Sequence, residues 1–287
     1  MTRTTPTYAI VTPSFAGDFD RCRLLVESVR RFGPGWTHYL IVDSHDLAQF
    51  RSLASPQTIV LDSRELLDRR LHKLPGRSGI WWNLRGPPVR GWMTQQIRKL
   101  AVNELLTEDR FLCCDSDTIF LRPFDARNFE VDGKLGLLDV DFCDDNVERW
   151  TVIAADLLGL EAGTIGRRGH VGMMILWDRA MMTGLQRRIE EVTGTGWQMA
   201  VARRLTFSEY ITYGTYVRAV VGYDNSPHAP SAVDLVRTSW GMSLDSETAL
   251  AAFFDSLSGT QIAAMVHSKD DVPVDWSLRQ FDRLLPR

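Results

Sequence analysis

Between two short apolar runs, Tyr8 to Thr12 and Thr37 to Val42, the residues Cys22, Leu25, Val26 and Val29 recur at i, i+3, i+4 and i+7. That is the spacing of one helix face. A strand, a helix and a second strand in that order predict a parallel pair, because parallel neighbours need a crossover where antiparallel ones need only a tight turn. Thr58 to Leu61 adds a third strand. The expectation is an α/β chain whose central sheet is mostly parallel and flanked by helices.

The segment 62–91 breaks this rhythm with Pro75-Gly76, Gly79 and Gly86-Pro87-Pro88, and reads as a loop-rich insertion with one short helix near its start. Beyond it, Trp92 to Leu106 reads as a helix. At about 100° per residue, Met93, Ile97, Leu100 and Ala101 share one side, and Trp92, Gln95, Gln96 and Lys99 share the other. Further strands are expected at Lys134 to Asp139 and Val171 to Trp177, and helices at Arg179 to Val192 and Ser208 to Val220. The last third is less periodic, and no linker or repeat divides the chain, so residues 1–287 read as one domain with halves 1–125 and 126–287.

At 44% hydrophobic and 24% charged, the 287 residues can bury a substantial core. A formal charge of -3 argues against bulk attraction to nucleic acid. No stretch reaches the roughly 18 to 20 apolar residues of a membrane helix. The start, Met1 to Pro6, does not resemble a secretory signal, and Cys22, Cys113, Cys114 and Cys143 lack zinc-type spacing. Packed, reduced thiols and a cytoplasmic location are the expectation, with the oligomeric state left open.

Asp115-Ser116-Asp117 follows the apolar run Phe111-Leu112-Cys113-Cys114. If the strand continues, residues i and i+2 project to one side, and two carboxylates that close repel unless something positive lies between them. A hard divalent cation that also takes substrate phosphates is the usual solution, so a metal site for a nucleotide diphosphate is expected here. An Asp-x-Asp triplet alone is common and often only forms a turn or caps a helix. This one sits at a strand's carboxyl end, where open α/β sheets place their ligands.

The segment Phe111-Leu-Cys-Cys-Asp115-Ser-Asp117-Thr-Ile-Phe-Leu-Arg-Pro123 resembles the Asp-x-Asp segment of nucleotide-sugar-dependent glycosyltransferases of the GT-A fold, distantly those like glycogenin. The resemblance implies a Rossmann-like GT-A domain whose first half binds nucleotide and whose second half binds sugar and acceptor. Thr12-Pro13-Ser14-Phe15, with Asp18 and Asp20, is similar to the first strand and loop that hold the base. Gln96 and Lys99 resemble the helix before the triplet, whose lysine reaches the donor. Asp115 and Ser116 would contact the donor as well. His267 would complete a metal shell with Asp115 and Asp117, and Lys269 would meet the diphosphate. An imidazole among oxygens suits Mn2+ better than Mg2+.

Two departures accompany this likeness. Where glycogenin-like enzymes carry Asn-x-Gly, this chain has His170-Val-Gly172, and in place of their Asp-Gln pair it has Ser208-Glu209. His170 and Gly172 are thus candidates for the sugar pocket without fixing its selectivity. For His267, a lone histidine after a strand is also a common structural residue. Glu209 is a candidate general base or sugar contact. It equally fits a capping box with Thr206, and sequence leaves that choice open. Trp81, Trp82 and Trp240 are candidates for an acceptor surface, since aromatic rings cover the apolar faces of sugars. Packing against the sheet competes with that role.

The expected function is metal-dependent transfer of a sugar, from a UDP-sugar foremost, to a hydroxyl acceptor, with retention or inversion undecided. The partners are the donor and a small-molecule or glycan acceptor. Asp115-Ser-Asp117-Thr118 also resembles the nucleophile loop of haloacid-dehalogenase-like phosphatases, with Asp115 attacking phosphorus. That family opens its fold with the motif, whereas more than a hundred residues precede it here. A non-catalytic carbohydrate-binding protein is a third reading, and it has no use for the acidic pair.

Overall fold

The computed structural model describes residues 5–73, 80–83 and 86–284. The chain opens with β1 (Tyr8–Pro13), α1 (Phe19–Phe32), β2 (Thr37–Val42), the short α2 (Leu47–Phe50) and β3 (Thr58–Asp62). Then come β4 (Leu71–Lys73), β5 (Ile80–Asn83), β6 (Val89–Arg90), α3 (Gly91–Leu105), β7 (Arg110–Cys113) and β8 (Thr118–Phe120). The second half holds β9 (Glu130–Val131), β10 (Lys134–Leu138), α4 (Asp145–Leu158), β11 (Leu176–Asp178), α5 (Arg179–Thr193), α6 (Trp197–Ala202) and α7 (Glu209–Thr215). It ends with β12 (His228–Ser231), β13 (Val236–Thr238), α8 (Glu247–Asp255), β14 (Ala263–Met265) and α9 (Val274–Leu284).

The main sheet has the order β11-β7-β1-β2-β3. β1 pairs parallel with β2, and β2 with β3, as the strand-helix-strand rhythm requires. Contacts divide the chain into two compact units. The first comprises Met1–Tyr8, Ser63–Phe111 and Glu130–Ala232, and the second comprises Ala9–Asp62, Leu112–Phe129 and Val233–Arg287.

In the second unit, Cys22 and Val26 of α1 pack with Leu40, Val42, Phe50 and Leu53, so the helix face read from its spacing is the one that is buried. Here too β14 pairs parallel with β13 and antiparallel with β8. Arg122 closes β8 by donating to the carbonyls of Ser258, Gly259 and Gln261.

In the first unit, β10 pairs parallel with β12 and antiparallel with β9. Asp144 caps α4 by accepting from the amides of Asn146 and Val147. Gly159 ends the helix at φ 65°, a left-handed conformation that glycine adopts without a Cβ penalty.

Several expectations are corrected. The segment 62–91 is not merely loop: β4, β5 and β6 form an antiparallel sheet, although Pro75, Gly76 and Gly79 lie outside the described residues. The run from Val171 is strand only over Leu176–Asp178. The helix expected to reach Val220 is α-helical to Thr215 and continues as a π-helical stretch, Tyr216–Val221. The supposed polar face of α3 is also largely inside: Gln96 and Lys99 are buried, and only Trp92 is exposed. Their alternation with apolar residues marks a second contact face, not a solvated one. Among the described residues no helix is long and apolar enough to cross a membrane. Cys22, Cys113 and Cys114 are buried thiols and Cys143 is an exposed one, none of them in a disulfide among the described residues.

Candidate active site

β7 delivers the acidic triplet from a fully buried run, Phe111 to Cys114, each 0% exposed. The Cys114 amide donates to the Val11 carbonyl at 3.0 Å, carrying the pairing one residue past the strand's end. There the chain turns: the Thr118 amide donates to the Asp115 carbonyl at 3.2 Å. The triplet is therefore a tight turn rather than a continued strand, so alternation along a strand is not what brings the carboxylates together.

After the turn, β8 pairs with β14, Thr118 opposite Met265. The Val266 amide donates to the Asp117 carbonyl at 3.1 Å, and the Ser268 amide donates to Asp117 Oδ2 at 3.0 Å. The segment 266–268 is thus fixed against Asp117. Asp18, at the start of α1, accepts from Ser116 Oγ at 3.1 Å and pairs with Arg21 at 3.3 Å. Asp18, Asp115 and Asp117 form one electrostatic group, and Arg21 tempers its margin.

Asp117 Oδ1 is buried and takes no hydrogen bond. Burial first, then the charges of Asp115 and Asp18, push this carboxyl up to about 7, while the Ser268 amide pulls the other way. A water-deprived carboxylate oxygen among like charges fits an oxygen-seeking cation. The cavity lined by Arg21, Ser116 and Asp117 measures about 10 Å3, room for a water-sized body and not for a pyrophosphate. The expected set of Asp115, Asp117 and His267 is not gathered: among the described residues no three such side chains are close enough to hold an ion alone. His267 Nδ1 instead lies 3.6 Å from Asp270 Oδ1, and its amide donates to Ser239 Oγ at 2.9 Å. Lys269, two residues beyond His267, is exposed.

The base-binding candidates divide by exposure. Thr12, Pro13 and Ser14 are buried; Thr12 Oγ1 hydrogen-bonds His38 Nε2 at 2.9 Å, and the Ser14 amide donates to the Ile41 carbonyl at 3.0 Å. Phe15 is 54% exposed, on a loop pinned by the Ala16 amide donating to Asp46 at 3.0 Å. Asp20 is solvated beside Arg23 at 3.7 Å. Only Phe15 and Asp20 of this group present side chains to solvent.

In the first unit, Lys99 Nζ lies 3.1 Å from Glu209 Oε1, with both side chains at most 5% exposed. Gln96 Oε1 accepts the Glu209 amide at 3.0 Å, and the Lys99 ammonium sits 5.2 Å from the Tyr210 ring centroid. The capping box is overturned: Ser208 caps α7 by accepting from the Ile211 amide, and Thr206 accepts from Trp150 Nε1 at 2.8 Å. Glu209 is neither a backbone cap nor a group at the surface, and Lys99 is held by it. His170 is 1% exposed and donates from Nδ1 to the Leu138 carbonyl at 2.8 Å, and a Cβ at Gly172 would meet Leu138 and Ile175 at 3.1 Å. Neither lines a surface. Trp81 is buried under the Arg98 guanidinium at 5.1 Å, whereas Trp82 and Trp240 are about half exposed.

Sequence reasoning missed Arg21, Ser268 and Trp150. Arg21 was findable as the i+3 partner of Asp18; the other two need the fold.

No curated protein matches the chain. Among solved structures, the bifunctional glycosyltransferase WbbM in its apo form aligns over 98% of this chain and 50% of its own, with a TM-score of 0.51 and 11% identity. The chain therefore spans half of that protein. The galactosyltransferase LgtC, solved with donor and acceptor sugar analogs, aligns over 96% of this chain and 94% of its own (TM-score 0.46, 11% identity). Apo GlyE of Streptococcus pneumoniae TIGR4 aligns over 98% and 62% (TM-score 0.45, 14% identity). The likeness to WbbM carries the fold, and the expected GT-A architecture is borne out. The profile of a family of unknown function, DUF6492, matches residues 9–270, and the chain belongs to that family.

Proposed function

We propose that the chain is a glycosyltransferase that moves a sugar from a nucleotide-diphosphate donor, a UDP-sugar foremost, to a hydroxyl acceptor. The observation that carries this reading is Asp117 Oδ1, a buried carboxylate oxygen with no donor, at the carboxyl end of a buried strand in a GT-A fold. Asp115 and Asp117 would hold Mn2+ or Mg2+, with oxygens of the donor's phosphates, in place of the His267 nitrogen, as further ligands. Such an ion, when bound, offsets the charge that builds on the leaving diphosphate.

The chain's own groups do the rest. The Ser268 amide orients Asp117, and Ser116 ties Asp18 to the same turn. Lys269, exposed two residues beyond His267, would bring a positive charge to the diphosphate. Phe15 offers an exposed ring to a base. The phosphatase reading loses its support, because β1 and not the acidic segment opens this fold.

A thermal-shift screen of nucleoside diphosphates and their sugars, with Mn2+ and with chelator, tests the proposal. A donor at 100 times its Kd should stabilise the native protein by about 2.7 kcal/mol, in Mn2+ only. If no nucleotide raises the melting temperature, the transferase reading falls.

A further inference from the structure

Trp92 is 46% exposed at the start of α3, yet it is not isolated. Its ring lies 6.1 Å from that of Trp150 on α4, with 34° between the planes. Trp150 is half-buried against Val147, Ala154 and Ile211, and its Nε1 donates inward to Thr206. That indole N–H is therefore spent on the protein, and the pair offers ring surface to whatever binds. Among the described residues, the exposed tryptophans Trp82 and Trp240 show no such second ring.

The platform is tied to the segments that carry the Lys99–Glu209 pair. Trp92 stands one helical turn before Gln96, which accepts the Glu209 amide, and Thr206 stands three residues before Glu209. We propose that Trp92 and Trp150 form the platform on which a sugar ring of the acceptor lies. The assignment of this sugar as acceptor rests on the transferase reading above.

The chemistry favours a carbohydrate over a membrane. Pyranose rings present an apolar C–H face that indoles cover well, with hydroxyls at the rim. On α4 the exposed Asn146 stands one helical turn before Trp150, on the same side of the helix, and offers its amide to such hydroxyls. Asp144, Asp145 and Glu148 make the start of that helix acidic, which opposes docking to an anionic lipid surface.

The test uses free saccharides, without donor or metal. Lactose, maltose, chitobiose and methyl β-galactoside are titrated against indole fluorescence and saturation-transfer NMR. At least one should bind saturably, and Trp92→Ala should weaken it about tenfold while Trp92→Phe retains part of the affinity. Because Trp92 is half exposed and loses only its contact with Trp150, the alanine variant should melt no more than about 5 °C lower and keep its response to nucleotide. Absence of saccharide binding, binding that survives Trp92→Ala, or Trp92-dependent binding to phosphatidylglycerol vesicles would each overturn the proposal. Saccharide binding that depends on Trp92, in a protein that ignores every nucleotide, would instead sink the transferase reading and leave the platform standing.

Discussion

Glu209 and Asp117 are both buried carboxylates, 4% and 9% exposed, and the two units handle them in opposite ways. Burying a charge costs several kcal/mol unless it is compensated. In the first unit the chain supplies the counter-ion itself, Lys99 at 3.1 Å, and adds Gln96 against the helix start. In the second unit the charges nearest Asp117 are other carboxylates, and one of its oxygens accepts nothing. The first unit compensates its buried carboxylate from within, and the second leaves Asp117 among like charges, a pattern that is enriched at binding sites.

The largest effect that could break this contrast lies at the satisfied pair. Lys99→Met or Glu209→Leu alone would strand a buried charge and should cost about 3–5 kcal/mol, read as a drop in urea midpoint at constant slope. The double variant should recover most of that loss, since apolar residues of similar volume replace a buried pair at little cost. Single variants within about 0.5 kcal/mol of the parent would show that the pair carries no scaffold role.

How far the sequence reveals this differs between the two regions. β2 is read to the residue, because the apolar run Thr37–Val42 is bounded by Pro34-Gly35 and Asp43. The acidic triplet is equally visible, since it follows four buried residues in sequence. Its geometry is not: the turn that gathers the carboxylates is set by the pairing of β8 with β14, more than a hundred residues away. The ion pair is hidden for the same reason, with Glu209 110 positions after Lys99. Periodicity assigns Lys99 to a polar face because it cannot show that a second helix covers that face. α4 escapes the reading although Asp144 and Gly159 bracket it, and Trp150 escapes with it.

A middle-sized effect sharpens the comparison by adding a buried group that avoids charge altogether. His38 in the second unit and His228 in the first are fully buried, and burial pushes each down to about 3, aided by Arg30 for His38 and by Arg110 and Lys134 for His228. Each is neutral when folded and takes a proton near pH 6.5 when unfolded. Their contribution is therefore complete above pH 6.5 and is lost as pH falls from there towards 3. The loss is up to about 1.4 kcal/mol per pH unit for each histidine. Asp117, raised to about 7, is protonated in the folded protein over the same range and offsets part of this loss, so urea titrations at pH 7, 6 and 5 should show it in the Asp117→Asn variant, before the carboxylates Asp68, Asp109 and Asp139, which are held below their usual range, begin to titrate. A flat profile in that variant would mean that neither ring is buried in the neutral form.

The smallest effect is the most diagnostic, because its sign is opposite to that expected of a scaffold residue. Asp117→Asn keeps an oxygen to accept the Ser268 amide but removes one of the clustered negative charges. In metal-free protein it should therefore stabilise the fold, by about 1 kcal/mol, as relief of strain held at a functional site commonly does. The same substitution should abolish the extra stabilisation that Mn2+ and a UDP-sugar give the parent, since the amide oxygen is a far poorer partner for a divalent cation. Gain without ligand and loss with it, in one variant, is the signature of a charge kept for binding at the expense of stability. Destabilisation in the metal-free protein would put Asp117 in the class of Glu209 and erase the distinction between the two units.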